Sequence, residues 1–322
     1  MHARRPANTV CEVRSGTSPW IIFAEKYGML LVLVLLFIAA AATSRHFLTM
    51  RNLLNVSRQV TADGIISIGM TLAILVGGID LSVGSVIGLS AVLLARYQSL
   101  GVVALLIALG SGAGIGLLNG FFISKWRIPP FVATLAMMIA IRGTAVLVAE
   151  SHPIEGVPPL AAFLGRGEVG PIPTSALVLI VIALLTWVFL AKTRIGRHVY
   201  AVGGNEESTR LAGINISLVK IIVYVLSGVM AAISGIVIGG HLNVGDPVQG
   251  MGSELDAIAA VAIGGTSLQG GRGGVGSTVV GLLLVGMVNN LLNLLNVAGY
   301  TQRIIIGIMI IIAVAIQRIR SE

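Results

Sequence analysis

The sequence predicts an all-α fold, a polytopic bundle of membrane-spanning helices, and three observations predict it. The chain of 322 residues is 56% hydrophobic and only 11% charged, where an ordinary soluble domain carries about 25% charge. Its mean hydropathy is +0.97. Its apolar residues fall in long runs nearly free of charge, and at about 20 residues per crossing the length holds roughly eight to ten spans. This composition cannot cover a soluble surface. It leaves room for one membrane domain and none for an attached soluble catalytic domain.

The runs read as helices at about 28–42, 61–78, 82–97, 100–122, 131–149, 174–191, 219–240, 256–269, 275–295 and 300–316. Together they give about ten transmembrane helices, two of them beside broken or re-entrant glycine-rich segments. The first run follows a basic leader, residues 1–27, with Arg4, Arg5, Arg14 and Lys26. That arrangement superficially resembles a cleaved signal. The long leader and the many later spans favour an uncleaved first helix. The run at 256–269 is short and ends in Gly264-Gly265, so it reads as a half-helix or re-entrant piece. The domain reading is one transmembrane domain over 28–317, between the leader and a cytoplasmic tail at 318–322.

Lys and Arg collect in cytoplasmic loops, which sets the orientation. With the N-terminus inside and all ten runs crossing, the leader, Lys125 and Arg127 lie inside. So do Lys192, Arg194, Arg197 and Arg210, and Arg318 and Arg320 at the far end. The loop at 150–173, with Glu150, His152, Glu155 and several prolines, falls outside. The misfit is the 43–60 segment, which places Arg45, Arg51 and Arg58 outside. The net charge of +8 is explained by these loops. No basic stripe interleaved with aromatics points to nucleic acid.

Chemistry-bearing motifs are few. Cys11 is the single cysteine, so no intrachain disulfide or Cys-rich metal site is possible. The histidines lack a His-x-x-x-His spacing, and His152 and His241 read as loop residues. Gly271-Arg272-Gly273-Gly274-Val275-Gly276 fits a dinucleotide fingerprint, yet no acid follows at ribose distance and no strand precedes it. It reads as a flexible turn. No phosphate-binding loop with its Gly-Lys-Ser/Thr ending occurs, so the chain has no recognisable nucleotide-binding loop of its own, and no cofactor is expected in it.

Two segments resemble each other. Gly77-Gly78-Ile79-Asp80-Leu81-Ser82-Val83-Gly84-Ser85 and Gly264-Gly265-Thr266-Ser267-Leu268-Gln269-Gly270-Gly271 each put a glycine pair and small polar residues at the end of an apolar helix. Interrupted helices in internal repeats mark a solute path. The alternative is that glycine simply permits close helix packing. Asp80 either caps the helix beginning near Ser82 or contacts a solute. Arg142 lies inside a run, either facing the interior against a carbonyl or acid or snorkelling to an interface. Glu254 and Asp256 suit the start of the broken segment. Asn119, Asn289, Asn290 and Asn293 punctuate apolar helices, where they either line a path for a neutral polyhydroxyl solute or hold helices together.

The longest inward loop, 193–215, carries a short-helix pattern. Asn205 caps it, Glu206 and Glu207 suit its first turn, Arg210 its end, and Gly213 closes it. A charged helix at a membrane face either docks on a partner or is an ordinary connector.

Three segments in this order resemble the membrane permease subunits of bacterial ABC importers for monosaccharides, of the ribose, xylose and galactose type. They are the 77–85 segment, Gly-Arg-x-x-Tyr-Ala-x-Gly-Gly-Asn-Glu at 196–206, and Glu254-Leu-Asp-Ala-Ile-Ala-Ala-Val continuing into Gly264-Gly-Thr-Ser-Leu. The resemblance runs from about Phe47 to Ile316. It implies a permease paired with a second copy or a sister permease, and a cytoplasmic ATPase subunit carrying ATP and Mg. It also implies a periplasmic sugar-binding protein. Asn205, Glu206, Glu207, Arg210 and Gly213 would couple to the ATPase. Asp80 and Ser82 would shape the first glycine-rich segment, and Gly265, Thr266 and Ser267 the second. No residue would be catalytic. The competing readings are an ion-driven secondary transporter, which predicts paired intramembrane carboxylates, an intramembrane enzyme, and a passive channel. Pentose, hexose, polyol and furanose permeases read alike at this level.

Overall fold

The computed structural model describes residues 31–321, apart from 32, 39, 44 and 46. The expected leader at 1–27, Cys11 within it, and the start of the first run lie outside the described residues. An apolar helical stretch, Leu33–Thr43, precedes the first long helix.

Helix α1 is Met50–Leu75. It begins well before the apolar run at 61–78, because the Thr49 hydroxyl accepts from the Asn52 N–H and caps the chain there. Arg51 and Arg58 in its early turns hide it from a hydropathy reading. Arg58 pairs with Glu168 in the 150–173 segment. The arginine segment that misfits the charge rule therefore has an acidic neighbour where the sequence places it. Then come α2 (Val83–Arg96), α3 (Val102–Ser124) and α4 (Pro130–Val148). Pro130 starts α4 at a position where its missing N–H costs nothing.

The 150–173 segment is more ordered than a loop. It holds β1 (Ile154–Glu155), α5 (Pro159–Arg166), β2 (Glu168–Val169) and β3 (Ile172–Pro173). Strands β2 and β3 form a tight hairpin. Next are α6 (Thr174–Lys192), α7 (Arg194–Gly204), α8 (Glu206–Leu211), α9 (Ile216–Leu242) and β4 (Val244–Gly245). Strand β4 returns antiparallel to β1, with Ile154 opposite Gly245. The chain ends with α10 (Ser253–Ile263), α11 (Val275–Leu294) and α12 (Gly299–Ser321). Helix α12 passes the expected boundary at 317. Helix α10 has 11 residues, about 16 Å at 1.5 Å per residue. That is half a crossing, as its short run and terminal glycines suggest.

Among the described residues five helices, α3, α4, α6, α9 and α11, are long and apolar enough to cross a membrane. Helices α1 and α2 form the centre: α1 is buried from Gly64 to its end, and α2 along nearly its whole length. Helix α9 packs on α1, α2 and α3. The α3–α9 seam is made by glycines. A Cβ on Gly120 would stand 2.7 Å from the Ile221 Cα, and one on Gly112 2.7 Å from the Ala232 Cβ. Small residues let backbones close up where lipid supplies no hydrophobic drive between helices. The outer helices turn Ile139, Leu147, Val181 and Leu185 outward.

Candidate functional site

Both glycine-rich breaks end their helices with the same device. After α1 the Gly77 N–H donates to the Ile74 carbonyl (2.9 Å) and the Gly78 N–H to that of Ala73 (2.9 Å). After α10 the Gly265 N–H donates to the Ala262 carbonyl (3.0 Å) and the Thr266 N–H to that of Val261 (3.2 Å). These are paired Schellman closures. They need a left-handed residue, and Gly77 (φ 77°) and Gly265 (φ 94°) supply it. The repeat read from the sequence is a repeat of backbone geometry.

In the first break, Asp80 is the hub of a buried polar network. Its Oδ1 accepts from the Ser82 N–H (3.1 Å) and the Ser82 hydroxyl (2.6 Å), and its Oδ2 from the Ser227 hydroxyl (2.8 Å). Asn119 Nδ2 donates in turn to Ser82 Oγ (2.9 Å). Asp80, Ser82, Asn119 and Ser227 are all buried. The network ties the break to α3 and α9. It holds helices together, one of the two roles open to Asn119. Ser227 was not foreseen, though a serine in mid-helix α9 is the signal that could have found it.

In the second break, Thr266 is buried, its hydroxyl 2.9 Å from that of Ser277. The Ser267 N–H donates to the Arg272 carbonyl (3.0 Å), which closes the loop on itself. The Gly271 N–H donates to the Leu75 carbonyl at the end of α1 (3.1 Å). The two breaks therefore meet.

Asn290 is buried and pairs reciprocally with Asn52 of α1, at 3.0 and 2.9 Å. It clamps α11 to α1. Asn289, its neighbour, instead lines a small cavity with Gln59, Asp63 and Asp256. The Asn289 Oδ1 is buried without a hydrogen-bond partner among the described residues. Asp63, inside the 61–78 run, was not singled out by the sequence reading. Glu254 and Asp256 stand in the first turn of α10, where the helix dipole favours an acid, with no side-chain cap bond. Between β4 and α10 the backbone is irregular. Arg142 of α4 reaches it, donating to the Pro247 carbonyl (2.7 Å) and that of Gln249 (3.0 Å). Arg142 thus faces the interior, against carbonyls.

The 193–215 loop is a helical hairpin. Helix α7 is capped by the Thr193 hydroxyl, which accepts from the Gly196 N–H (2.9 Å), and buries Val199 and Val202. The Asn205 side chain accepts from the Ser208 N–H (2.8 Å) and starts α8. Glu206 and Glu207 occupy its first turn and Arg210 its last. Gly213 (φ 79°) closes it with a third Schellman pair. Lys220 Nζ holds Glu206 (2.7 Å) and Arg210 holds Glu207 (2.6 Å). Leu211 is 80% exposed at its end. Tyr200 donates to the Gly273 carbonyl (3.0 Å). Burial pushes that hydroxyl above its ordinary 10.0, so it keeps its proton at neutral pH. Among the described residues, no group of three or more His, Cys, Asp or Glu is placed to hold a metal.

A helical membrane bundle broken twice beside buried polar networks, with an ordered hairpin touching both breaks, is the architecture of a membrane transport protein. The chain matches the family of the branched-chain amino acid transport system / permease component over residues 52–314, and it belongs to that family. It is 40% identical to the ribose import permease protein of Escherichia coli strain K12, covering 96% of this chain and 97% of that one. It is 41% identical to the ribose import permease protein of Bacillus subtilis strain 168 (92% and 94%). It is 35% identical to the L-arabinose transport system permease protein of Escherichia coli strain K12 (92% and 92%). No solved structure matches significantly.

Proposed function

We propose that this chain is the permease subunit of an ATP-driven importer that carries a monosaccharide or related polyol across the bacterial inner membrane. The observation that carries the reading is 40% identity to a ribose import permease along 96% of the chain. The family description names branched-chain amino acids. Full-length relatives named for ribose and arabinose favour sugar.

In this reading the chain is a multi-pass membrane protein with one transmembrane domain, about ten crossings and no catalytic residue. Several ends support that count. Arg58 meets Glu168, Arg96 meets Glu150, and β1 meets β4 at one face. Helix α7 meets the end of α1 at the other, Gly203 against the Leu75 carbonyl. A second permease copy or sister permease completes the pathway. A separate ATPase subunit holds ATP and Mg, and a periplasmic binding protein delivers the sugar. The α7–α8 hairpin docks on the ATPase through Asn205, Glu206, Glu207, Arg210 and Gly213, with exposed Leu211 as its apolar contact. Asp80, Ser82 and Asn119 shape one side of the path, and Thr266, Ser267, Asn289 and Asn290 the other.

Purification of the chain from native membranes in mild detergent tests this, with co-purifying proteins identified by mass spectrometry. An ATPase subunit is expected, and Leu211→Arg is expected to release it at least tenfold. A chain that comes down alone contradicts the reading. A secondary transporter is the second reading, favoured by Asp63 and Asp256 lining one cavity. Uptake driven by an ion gradient without ATP would establish it.

A further inference from the structure

We propose that the glycines at the end of α1 form a rigid junction that passes motion of the α7–α8 hairpin directly into both broken segments, with Tyr200 and Gly203 as its positioning residues. The inference rests on the transport reading above and adds the route by which the hairpin acts. Gly77 after α1, Gly203–Gly204 at the end of α7 and Gly270–Gly271 in the second break meet at one point. A Cβ on Gly203 would fall on the Leu75 carbonyl oxygen and lie 2.6 Å from the Gly271 nitrogen. One on Gly271 would lie 2.8 Å from the Gly204 Cα, and one on Gly270 3.0 Å from the Gly77 nitrogen. A carbon does not fit at Gly203 or Gly271 without a backbone shift and is tight at Gly270, so backbone rests on backbone.

That matters mechanically. Side chains between two elements can change rotamer and absorb a displacement, whereas glycine has no side chain to move. The contacts are also bonded. The Gly271 N–H holds the Leu75 carbonyl (3.1 Å) and Tyr200 holds the Gly273 carbonyl (3.0 Å). On the other side, the Thr209 hydroxyl donates to the Ala201 carbonyl (2.8 Å) and fixes α8 on α7. An unbroken chain of short contacts thus runs from the charged helix α8 to α7, and on to the ends of α1 and the second break. Close-packed interiors transmit strain, and this one leads to both breaks at once.

The neighbouring glycine provides an internal control, because a Cβ on Gly204 meets nothing within 4 Å. The full chain is assembled with its ATPase and binding protein in proteoliposomes. ATP hydrolysis and uptake of radiolabelled D-ribose, L-arabinose and D-allose are measured together. Gly203→Ala is expected to keep the ATPase bound and hydrolysing within about twofold of wild type while uptake per ATP falls at least tenfold. Tyr200→Phe, which removes one hydrogen bond and no packing, is expected to lower uptake per ATP two- to fivefold. Gly204→Ala is expected to match wild type. If Gly203→Ala and Tyr200→Phe transport with the wild-type yield per ATP, or lose yield only as they lose bound ATPase, the junction does not transmit motion. If the wild-type complex takes up none of the three sugars on ATP, the transport reading fails, and the junction proposal fails with it.

Discussion

Asp80 illustrates how one buried carboxylate can organise a break in a membrane helix. Three donors converge on it from Ser82 and Ser227, and Asn119 extends the network. Asp80→Ala removes the acceptor of three buried donors, the Ser82 N–H and the hydroxyls of Ser82 and Ser227, and each buried donor left unpaired costs about 1–3 kcal/mol. Thermal unfolding in detergent is expected to show a clearly lower midpoint for Asp80→Ala and a smaller loss for Asp80→Asn, which retains an acceptor. An unchanged midpoint with a raised uptake KM would instead mark Asp80 as a solute contact. Arg142 works in the opposite sense, supplying donors to carbonyls that no helix satisfies. Arg142→Met is expected to loosen residues 243–252, read as faster hydrogen exchange there and not in α1. Asp80 and Arg142 were both legible as isolated charges in apolar runs. Their partners were not, since Ser227 and the Pro247 carbonyl lie far away in sequence and carry no charge.

Among the elements, those whose structure local chemistry decides are legible in the sequence. Helix α8 follows its caps, from Asn205 to Gly213. The two glycine breaks follow the requirement for a left-handed residue after a helix. Elements decided by tertiary packing are not. Residues 194–204 are helix because Val199 and Val202 bury one face against the bundle, a contact that spacing in a short, arginine-bearing stretch did not reveal. The early turns of α1 were hidden by Arg51 and Arg58. The Asn52–Asn290 clamp belongs to this scale too. Each asparagine alone reads as a path residue or a spacer, and only the fold pairs them. A double-mutant cycle with Asn52→Leu and Asn290→Leu is expected to give a coupling energy of about 0.6–2 kcal/mol. Additive losses would show that the pair contributes no more than its packing.

For the whole molecule, composition was sufficient to define a membrane bundle, since 11% charge cannot cover a soluble surface. The ion pairs Arg58–Glu168 and Arg96–Glu150 place the 150–173 segment beside the early turns of α1 and the end of α2. The α7–α8 hairpin lies at the other end of α1. This separates the face that would receive a sugar from the face that would receive an ATPase. On the proposed function, energy enters at that second face, from ATP held by a partner. The most direct measurement is sugar uptake into proteoliposomes containing this chain, its ATPase and its binding protein, with ATP supplied and every ion gradient collapsed by ionophores. Accumulation is expected to require ATP, the binding protein and an intact α8. Accumulation that persists without ATP and disappears with the ionophores would contradict it.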